Sequence, residues 1–172
     1  MRTFQSHGSG EFTNDQFKKI GSPVIFEKGV RVFHPEHITL GNNVYVGHNT
    51  FLKAYHKNEL LIGNNVWIGQ NVFIHAAGGI DIGNEVGIGP NVCFLTSAHQ
   101  ILGKTKIILD SPIDFKKITI EQGVDIGAGS ILLPGITLGQ GAQIGAGSVV
   151  TKDVAPFSVV AGNPAKLLRM RS

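Results

Sequence analysis

The chain has 172 residues, enough for one domain with a substantial core, and its 42% hydrophobic content with only 16% charged residues excludes an intrinsically disordered chain. A net charge of +3 without a basic run gives no reason to expect nucleic acid as a partner, and no apolar run is long enough for a membrane helix. Cys93 is the only cysteine, so an intrachain disulfide is excluded, and the N-terminus lacks the apolar core of a signal peptide, which favours a soluble cytoplasmic protein.

The first 37 residues are predicted to form an N-terminal cap followed by irregular first coils. Thr13 precedes the segment NDQFKKI, which has the pattern of an N-capped short helix ending at Gly21. Such a helix would cover backbone groups that are left unpaired at the open end of a repeat array.

Residues 38–96 and 118–160 follow a six-residue repeat. The second block reads IEQGVD, IGAGSI, LLPGIT, LGQGAQ, IGAGSV and VTKDVA, with an aliphatic residue leading each hexad. The first block contains LGNNVY, VGHNTF, IGNNVW, IGQNVF, IGNEVG and IGPNVC, and over the two blocks together the second residue is usually glycine. A helix cannot produce this pattern, because a step of six residues at 100° each scatters the leading residues around the helix axis. A short strand followed by a tight turn explains both the aliphatic positions and the glycine.

Three such sides close one coil of about 18 residues, and successive coils pair with their neighbours along the axis. The sequence therefore predicts a mainly β protein, a single-domain parallel β-helix with a triangular cross-section. Two short interruptions, at 53–60 and 76–81, are predicted to be small corner loops.

The segment 97–117 is the long interruption of the repeat, and it is predicted to protrude as a loop. Insertions in repeat arrays emerge on one face, often the binding face. A loop of this length inside a compact domain is usually functional or disordered, and its apolar segments ILG and IILDSPI argue against disorder. His99 stands where the regular coil gives way to this loop. Because histidine titrates near neutral pH, His99 is a candidate general base.

The last segment, 161–172, contains Pro164 followed by AKLLRM. Proline in the first turn is typical of a helix start, so a short C-terminal helix is predicted.

Two motifs resemble the hexapeptide-repeat acyltransferases, and in particular the galactoside, maltose and nodulation type of sugar acetyltransferase. The segment GPNVCFLTSAHQ resembles the coil of that family that runs into a loop opening with the catalytic histidine, and His99 matches this position. The segment IGAGSVVTKDVAPFSVVAGNPAKLLR (144–169) resembles the acetyl-CoA-binding terminus. The resemblance implies a left-handed β-helix, acetyl-CoA as co-substrate, and a homotrimer with each active site between two subunits.

The resemblance also implies a set of residues for the donor. Small residues allow the backbone to approach the pantetheine arm, while a hydroxyl and cations would meet the amides and phosphates. In this chain the matching residues are Ala128, Ala146, Thr151, Lys152, Lys166 and Arg169. Lys166 and Arg169 are expected one helical turn apart, and Lys166 stands where the family often has arginine.

The acceptor side departs from the galactoside pattern. His75 and the alanines that follow it stand where several family members carry an acidic residue, so His75 is a candidate substrate contact, with Asn84 a weaker one. Trp67 is a candidate for covering a subunit contact. The remaining histidines, among them His56, have no partner that the sequence identifies.

The sequence hypothesis is an acetyl-CoA-dependent O-acetyltransferase that uses a histidine base on a sugar of surface polysaccharide biosynthesis, with no metal. An N-acetyltransferase acting on a nucleotide-linked amino sugar is the nearest alternative. A zinc enzyme of the carbonic anhydrase kind would need three converging histidines, and a non-catalytic solenoid scaffold would need neither the long loop nor the terminal motif.

Overall fold

The computed structural model describes residues 3–55 and 57–172, which form a three-sided parallel β-solenoid with one strand on each side of every coil. The first face contains six strands: Lys19–Ile20, Ile38–Leu40, Leu60–Ile62, Ile80–Ile82, Ile118–Ile120 and Thr137–Leu138. The second face contains eight: Val24–Phe26, Val44–Val46, Val66–Ile68, Gly87–Ile88, Asp125–Ile126, Gln143–Ile144, Ser158–Ala161 and Lys166–Met170. The third face contains six: Arg31–Phe33, Phe51–Lys53, Phe73–His75, Cys93–Leu95, Ile131–Leu132 and Val149–Val150.

The core runs as a column through the centre of the prism. In three-residue strands on the third face only the middle residue points inward, as Leu52, Ile74 and Phe94 do, and each of these side chains is fully buried. On the first face the outer two residues point inward instead, as Ile80 and Ile82 do. The aliphatic lead and fifth residues of the hexad are therefore the core positions, as the period of six predicted.

The corners explain the repeated glycine. A Cβ placed on Gly127 would lie 2.5 Å from the backbone nitrogen of Ala146 in the next coil, so a side chain at this position would push neighbouring coils apart. Glycine removes that collision, and the coil spacing of the sheet is kept.

The predicted N-terminal helix is wrong in length. Only Asn14–Gln16 forms a 3₁₀ turn, although Thr13 does begin it, with its backbone N–H donating to the Gln16 side chain at 2.9 Å. The chain does not continue as a helix after this turn, because Phe17 is buried against Phe12 and Phe26 and because Lys19–Ile20 pairs as a strand on the first face.

The predicted C-terminal helix is wrong. Lys166–Met170 is a strand that pairs antiparallel with Ser158–Ala161, the last parallel strand of the second face. That strand offers an unpaired edge, whereas an isolated helix of about six residues is marginal in water. Pairing with this edge also satisfies backbone groups of Ser158–Ala161, so the segment Lys166–Met170 forms a strand and not a helix.

The long interruption 97–117 is an ordered projection. Ser97–His99 and Ile113–Phe115 form an antiparallel hairpin, and Ile108–Asp110 forms a 3₁₀ turn near its tip. The only other 3₁₀ turn that the described part of the chain contains, besides Asn14–Gln16, is Pro35–His37. None of the helical segments described is long and apolar enough to cross a membrane.

Candidate functional site

His99 lies on the hairpin, half-buried, with its ring oriented by the hairpin itself. Its Nδ1 is 3.1 Å from the backbone carbonyl oxygen of Ser111. Because a carbonyl can only accept, Nδ1 carries a proton, and in the neutral ring the lone pair is then on Nε2. A neutral imidazole held in this tautomer is ready to take a proton at Nε2.

The base of the hairpin is fixed to the preceding coil by one buried hydroxyl. Thr96 Oγ1 donates to the carbonyl oxygen of His75 at 2.6 Å and accepts from the backbone N–H of Gly78 at 2.8 Å. The outer part is fixed by Gln100, whose side-chain amide donates to Asp114 at 2.6 Å. These contacts hold His99 in place relative to the prism.

An open cavity of about 230 Å³ separates the hairpin from the C-terminal coils. Its lining residues are Ala98, Asp114, Lys116, Leu133, Pro134 and Thr151. Side chains alternate across a strand, so Ala98 faces this cavity and His99 projects from the opposite face of the hairpin. Thr151 is thus the sequence-predicted donor residue that the structure brings next to the hairpin.

The other predicted donor residues line the neighbouring surface of the C-terminal coils. Ala128 and Ala146 are exposed and stack one coil apart at the corner between the second and third faces, where the Ala128 carbonyl accepts from Gly147 N–H at 2.8 Å. Lys152 is exposed at the opposite end of the third face, directly after Thr151. The outer surface of the third face therefore connects the two corners.

Lys166 and Arg169 lie on the C-terminal strand, so their predicted spacing of one helical turn is wrong. Lys166 pairs with Ala161 and Arg169 with Val159, with a bulge between the two positions. Both side chains are exposed at this edge of the second face, which leaves their charges accessible to solvent.

His75 lies at the end of its third-face strand and contacts a residue that the sequence did not single out. Its Nε2 is 3.1 Å from the hydroxyl oxygen of Tyr55, and the two rings meet edge to face. Nδ1 is buried and has no hydrogen-bond partner among the described residues. Burial, and then the positive charge of Lys53, lowers the pKa of His75 below its ordinary value.

Asn84 is not brought near His99 within one chain. It lies at the corner between the first and second faces, where its Oδ1 accepts from the backbone N–H of Asn64 at 2.8 Å and from the Asn64 side chain at 3.1 Å. Asn64 accepts in the same way from Asn42 N–H. This asparagine ladder gives Asn84 a structural role at its corner.

Two further expectations concern the histidines. His56 lies outside the described residues. Within the two described segments of the chain, no group of three or more His, Cys, Asp or Glu side chains is arranged to hold a metal ion.

Comparison with known proteins identifies the repeat and its relatives. The family model described as the hexapeptide repeat of succinyl-transferase matches residues 60–94 and 117–152. A Dictyostelium discoideum protein, named provisionally as an acetyltransferase, is 35% identical over 160 residues, which cover 92% of this chain and 71% of that protein. The galactoside O-acetyltransferase of Escherichia coli is 33% identical over 138 residues, covering 78% of this chain and 58% of the enzyme.

A solved structure shares the fold. The Bacillus cereus N-acyltransferase AntD, in complex with dTDP and 3-hydroxybutyryl-CoA, superposes with a TM-score of 0.82 at 22% identity, over 92% of this chain and 85% of AntD. The chain spans between 25% and 58% of the length of five curated relatives other than the Dictyostelium protein. From the repeat, the fold and the full-length similarity, the chain belongs to the hexapeptide-repeat acetyltransferases.

Proposed function

We propose that this protein transfers an acetyl group from acetyl-CoA directly to a hydroxyl of a sugar, with His99 as the general base. The observation that carries the proposal is the hydrogen bond from His99 Nδ1 to the Ser111 carbonyl, which in the neutral ring leaves the lone pair on Nε2 as the proton acceptor. In the reaction Nε2 takes the proton of the acceptor hydroxyl while its oxygen attacks the thioester carbonyl. The tetrahedral intermediate then collapses, the carbon–sulfur bond breaks, and the imidazolium returns the proton to the leaving thiolate of CoA.

Direct transfer is favoured over an acetyl-enzyme. Cys93 is the only thiol, and burial raises the pKa of Cys93, which lowers the fraction of the nucleophilic thiolate. No covalent intermediate is needed if acceptor and thioester are bound together. Backbone N–H groups would stabilise the oxyanion that forms on the thioester oxygen.

The donor is proposed to lie along the C-terminal coils. The exposed Ala128 and Ala146 leave their corner free of bulky side chains, so the pantetheine arm can approach the backbone there. Thr151 borders the cavity beside the hairpin, and Lys152 supplies a nearby cation. Lys166 and Arg169 are proposed to meet phosphate groups from the edge strand, in line with the CoA ligand of AntD.

The acceptor is proposed to lie on the His99 side of the hairpin, where the donor groove of a second subunit would present the thioester. His75 is the candidate contact there, because it ends the third-face strand of the coil to which Thr96 ties the hairpin. Asn84 would reach an acceptor only if a second subunit brought the first-to-second-face corner of one chain to the hairpin of another.

A homotrimer is proposed because the cavity beside the hairpin is open, so a second subunit would be needed to close it. Exposed apolar side chains support a subunit contact: Trp67 is 44% exposed and stacks on Tyr45 at 6.0 Å, while the hairpin exposes Ile107 and Phe115. Three chains of 18.4 kDa would give a second wall to each of three equivalent sites. Sedimentation analysis tests this, and a monomer at micromolar concentration would contradict it.

The nearest alternative is transfer to an amine, and the similarity to AntD, an N-acyltransferase, favours it. The same base and donor groove serve both reactions. Matched pairs of sugars, identical except for a hydroxyl or an amino group at one carbon, should be incubated with acetyl-CoA while released thiol and product mass are measured. We expect the hydroxyl sugars to be preferred, and a clear preference for the amines would overturn O-acetylation. With hydroxyl sugars as acceptors, the enzyme is proposed to act in the cytoplasm on a building block of a surface polysaccharide.

A further inference from the structure

A cation surrounded by aromatic rings lies on the outer surface of the third face, at the side of the molecule where His75 ends its strand. Lys53 Nζ is 5.3 Å from the ring centre of Tyr55 and 5.4 Å from that of Phe33. The Tyr55 ring in turn contacts His75 at 5.2 Å and His34 at 6.2 Å. The ammonium group thus lies over two aromatic rings, and Tyr55 connects it to two imidazole rings.

The charge of Lys53 is not neutralised. Within residues 3–55 and 57–172, no carboxylate lies within ion-pair distance of its Nζ, although Lys18 and Lys117 each have such a partner. The acids nearest in sequence to Phe33, His34 and Tyr55 are already engaged, because Glu36 contacts His34 at 3.1 Å and Glu59 forms an ion pair with Lys18. Aromatic faces orient an ammonium group but leave its full positive charge available.

The position of Lys53 relative to the hairpin indicates which part of a bound acceptor its charge would contact. One outward-facing column of the third face contains, in successive coils, Phe33, Lys53, His75 and Leu95, each paired with the next. Neighbouring strands lie about 4.8 Å apart, so Lys53 is about 10 Å from Leu95, just before the hairpin that carries His99. That side of the hairpin is also the side on which His99 projects, away from the donor cavity.

We infer that the acceptor is a phosphorylated sugar and that Lys53 binds its phosphate. The inference rests on the proposed function and names the substrate class of the same site. Lys53 lies two coils from the base of the hairpin on the side where His99 projects, so a sugar that presents a hydroxyl to His99 can extend a phosphate or diphosphate ester toward Lys53. Tyr55, whose hydroxyl meets Nε2 of His75, holds one of the two rings over which the Lys53 ammonium group lies.

The test compares the acceptor with and without phosphate in variants of the full chain. Lys53→Gln removes the charge, Lys53→Arg keeps it, and Lys28→Gln removes an exposed lysine elsewhere on the prism as a matched control. KM is measured for acetyl-CoA and for three acceptors: a free sugar, its 1-phosphate and its nucleoside diphosphate ester. Circular dichroism confirms that each variant is folded.

We expect Lys53→Gln to raise KM about 10- to 100-fold for the phosphorylated acceptors while KM for acetyl-CoA is unchanged. Lys53→Arg should retain most of the affinity, and Lys28→Gln should behave as the wild type. A 1-phosphate as effective as the diphosphate ester identifies a sugar phosphate as the acceptor, whereas a requirement for the ester identifies a nucleotide-linked sugar.

The inference is overturned if the free sugar is as good an acceptor as its phosphorylated forms, or if Lys53→Gln changes KM equally for both. Those outcomes leave the proposed function intact, because His99-dependent acetylation of the free sugar would still be observed. Absence of acetyl transfer to every acceptor, phosphorylated or not, would instead refute the proposed function itself.

Discussion

Thr96 is predicted to link the stability of the prism to the position of His99, the proposed general base. Its buried hydroxyl is the acceptor for Gly78 N–H and the donor to the His75 carbonyl, at 2.8 and 2.6 Å. Thr96→Val keeps the shape of the side chain and removes both hydrogen bonds. A buried polar group that loses its partner costs about 1–3 kcal/mol, so the lower limit for two groups is about 2 kcal/mol.

For a chain of this length that loss corresponds to a fall in Tm of about 4–8 °C. The hairpin base is also released from the preceding coil, and kcat should fall because His99 lies three residues beyond Thr96. Thr96→Ser is the matched control, since it retains the hydroxyl and should preserve both Tm and most of kcat. Thermal unfolding followed by circular dichroism and the thiol-release assay measure the two effects. A Thr96→Val protein with unchanged Tm and kcat would refute this account of the hairpin.

Two further predictions concern titration and donor binding. The lowered pKa of His75 means that the unfolded chain binds a proton at this residue below about pH 6.5, where the folded chain does not, so acidification through that pH should reduce the free energy of unfolding. Denaturant titrations at pH 7.5 and 5.5 should show a smaller decrease for His75→Gln than for the wild type, and an equal decrease would contradict the assignment. Lys152→Gln should raise KM for acetyl-CoA about 10-fold with kcat unchanged, whereas Lys28→Gln should have no effect, and steady-state kinetics showing identical KM values would remove Lys152 from the donor site.

The solenoid was predictable from the sequence because its physical cause is local. Each hexad specifies one short strand and one tight corner, and the same demand recurs in every coil, so the core positions follow from the period alone. The hairpin was predictable as a protrusion for the same reason, since residues 97–117 fit no repeat. The left hand of the coils stays a prediction that the family resemblance implies.

The two terminal helices were mispredicted because their structure depends on distant partners. Pro164 followed by AKLLRM satisfies the local rules for a helix start, yet the backbone edge of Ser158–Ala161 decides its structure. Near the N-terminus, the burial of Phe17 against Phe12 and Phe26 competes in the same way with helix extension.

The site was predictable only in part. His99 and Thr151 were predicted because the first stands at the break of the repeat and both fall in motifs that resemble those of the family, and their roles stay predictions. Lys53 and Tyr55 could not be identified, since their significance comes from pairing with His75 in another coil. The signal in the sequence would have been a lysine with an aromatic residue at the equivalent position of the neighbouring coil, as Lys53 has in Phe33.

The most direct test of the central claim is acetyl transfer by His99→Ala and His99→Gln, with the preferred acceptor at saturating concentration. Both variants should bind acetyl-CoA in calorimetry as tightly as the wild type, because His99 acts on the acceptor hydroxyl and is not one of the residues proposed to hold the donor. Their kcat should be about 10²- to 10⁴-fold lower, the usual contribution of a general base. A folded His99→Ala protein that keeps kcat within a few-fold of the wild type would contradict the account.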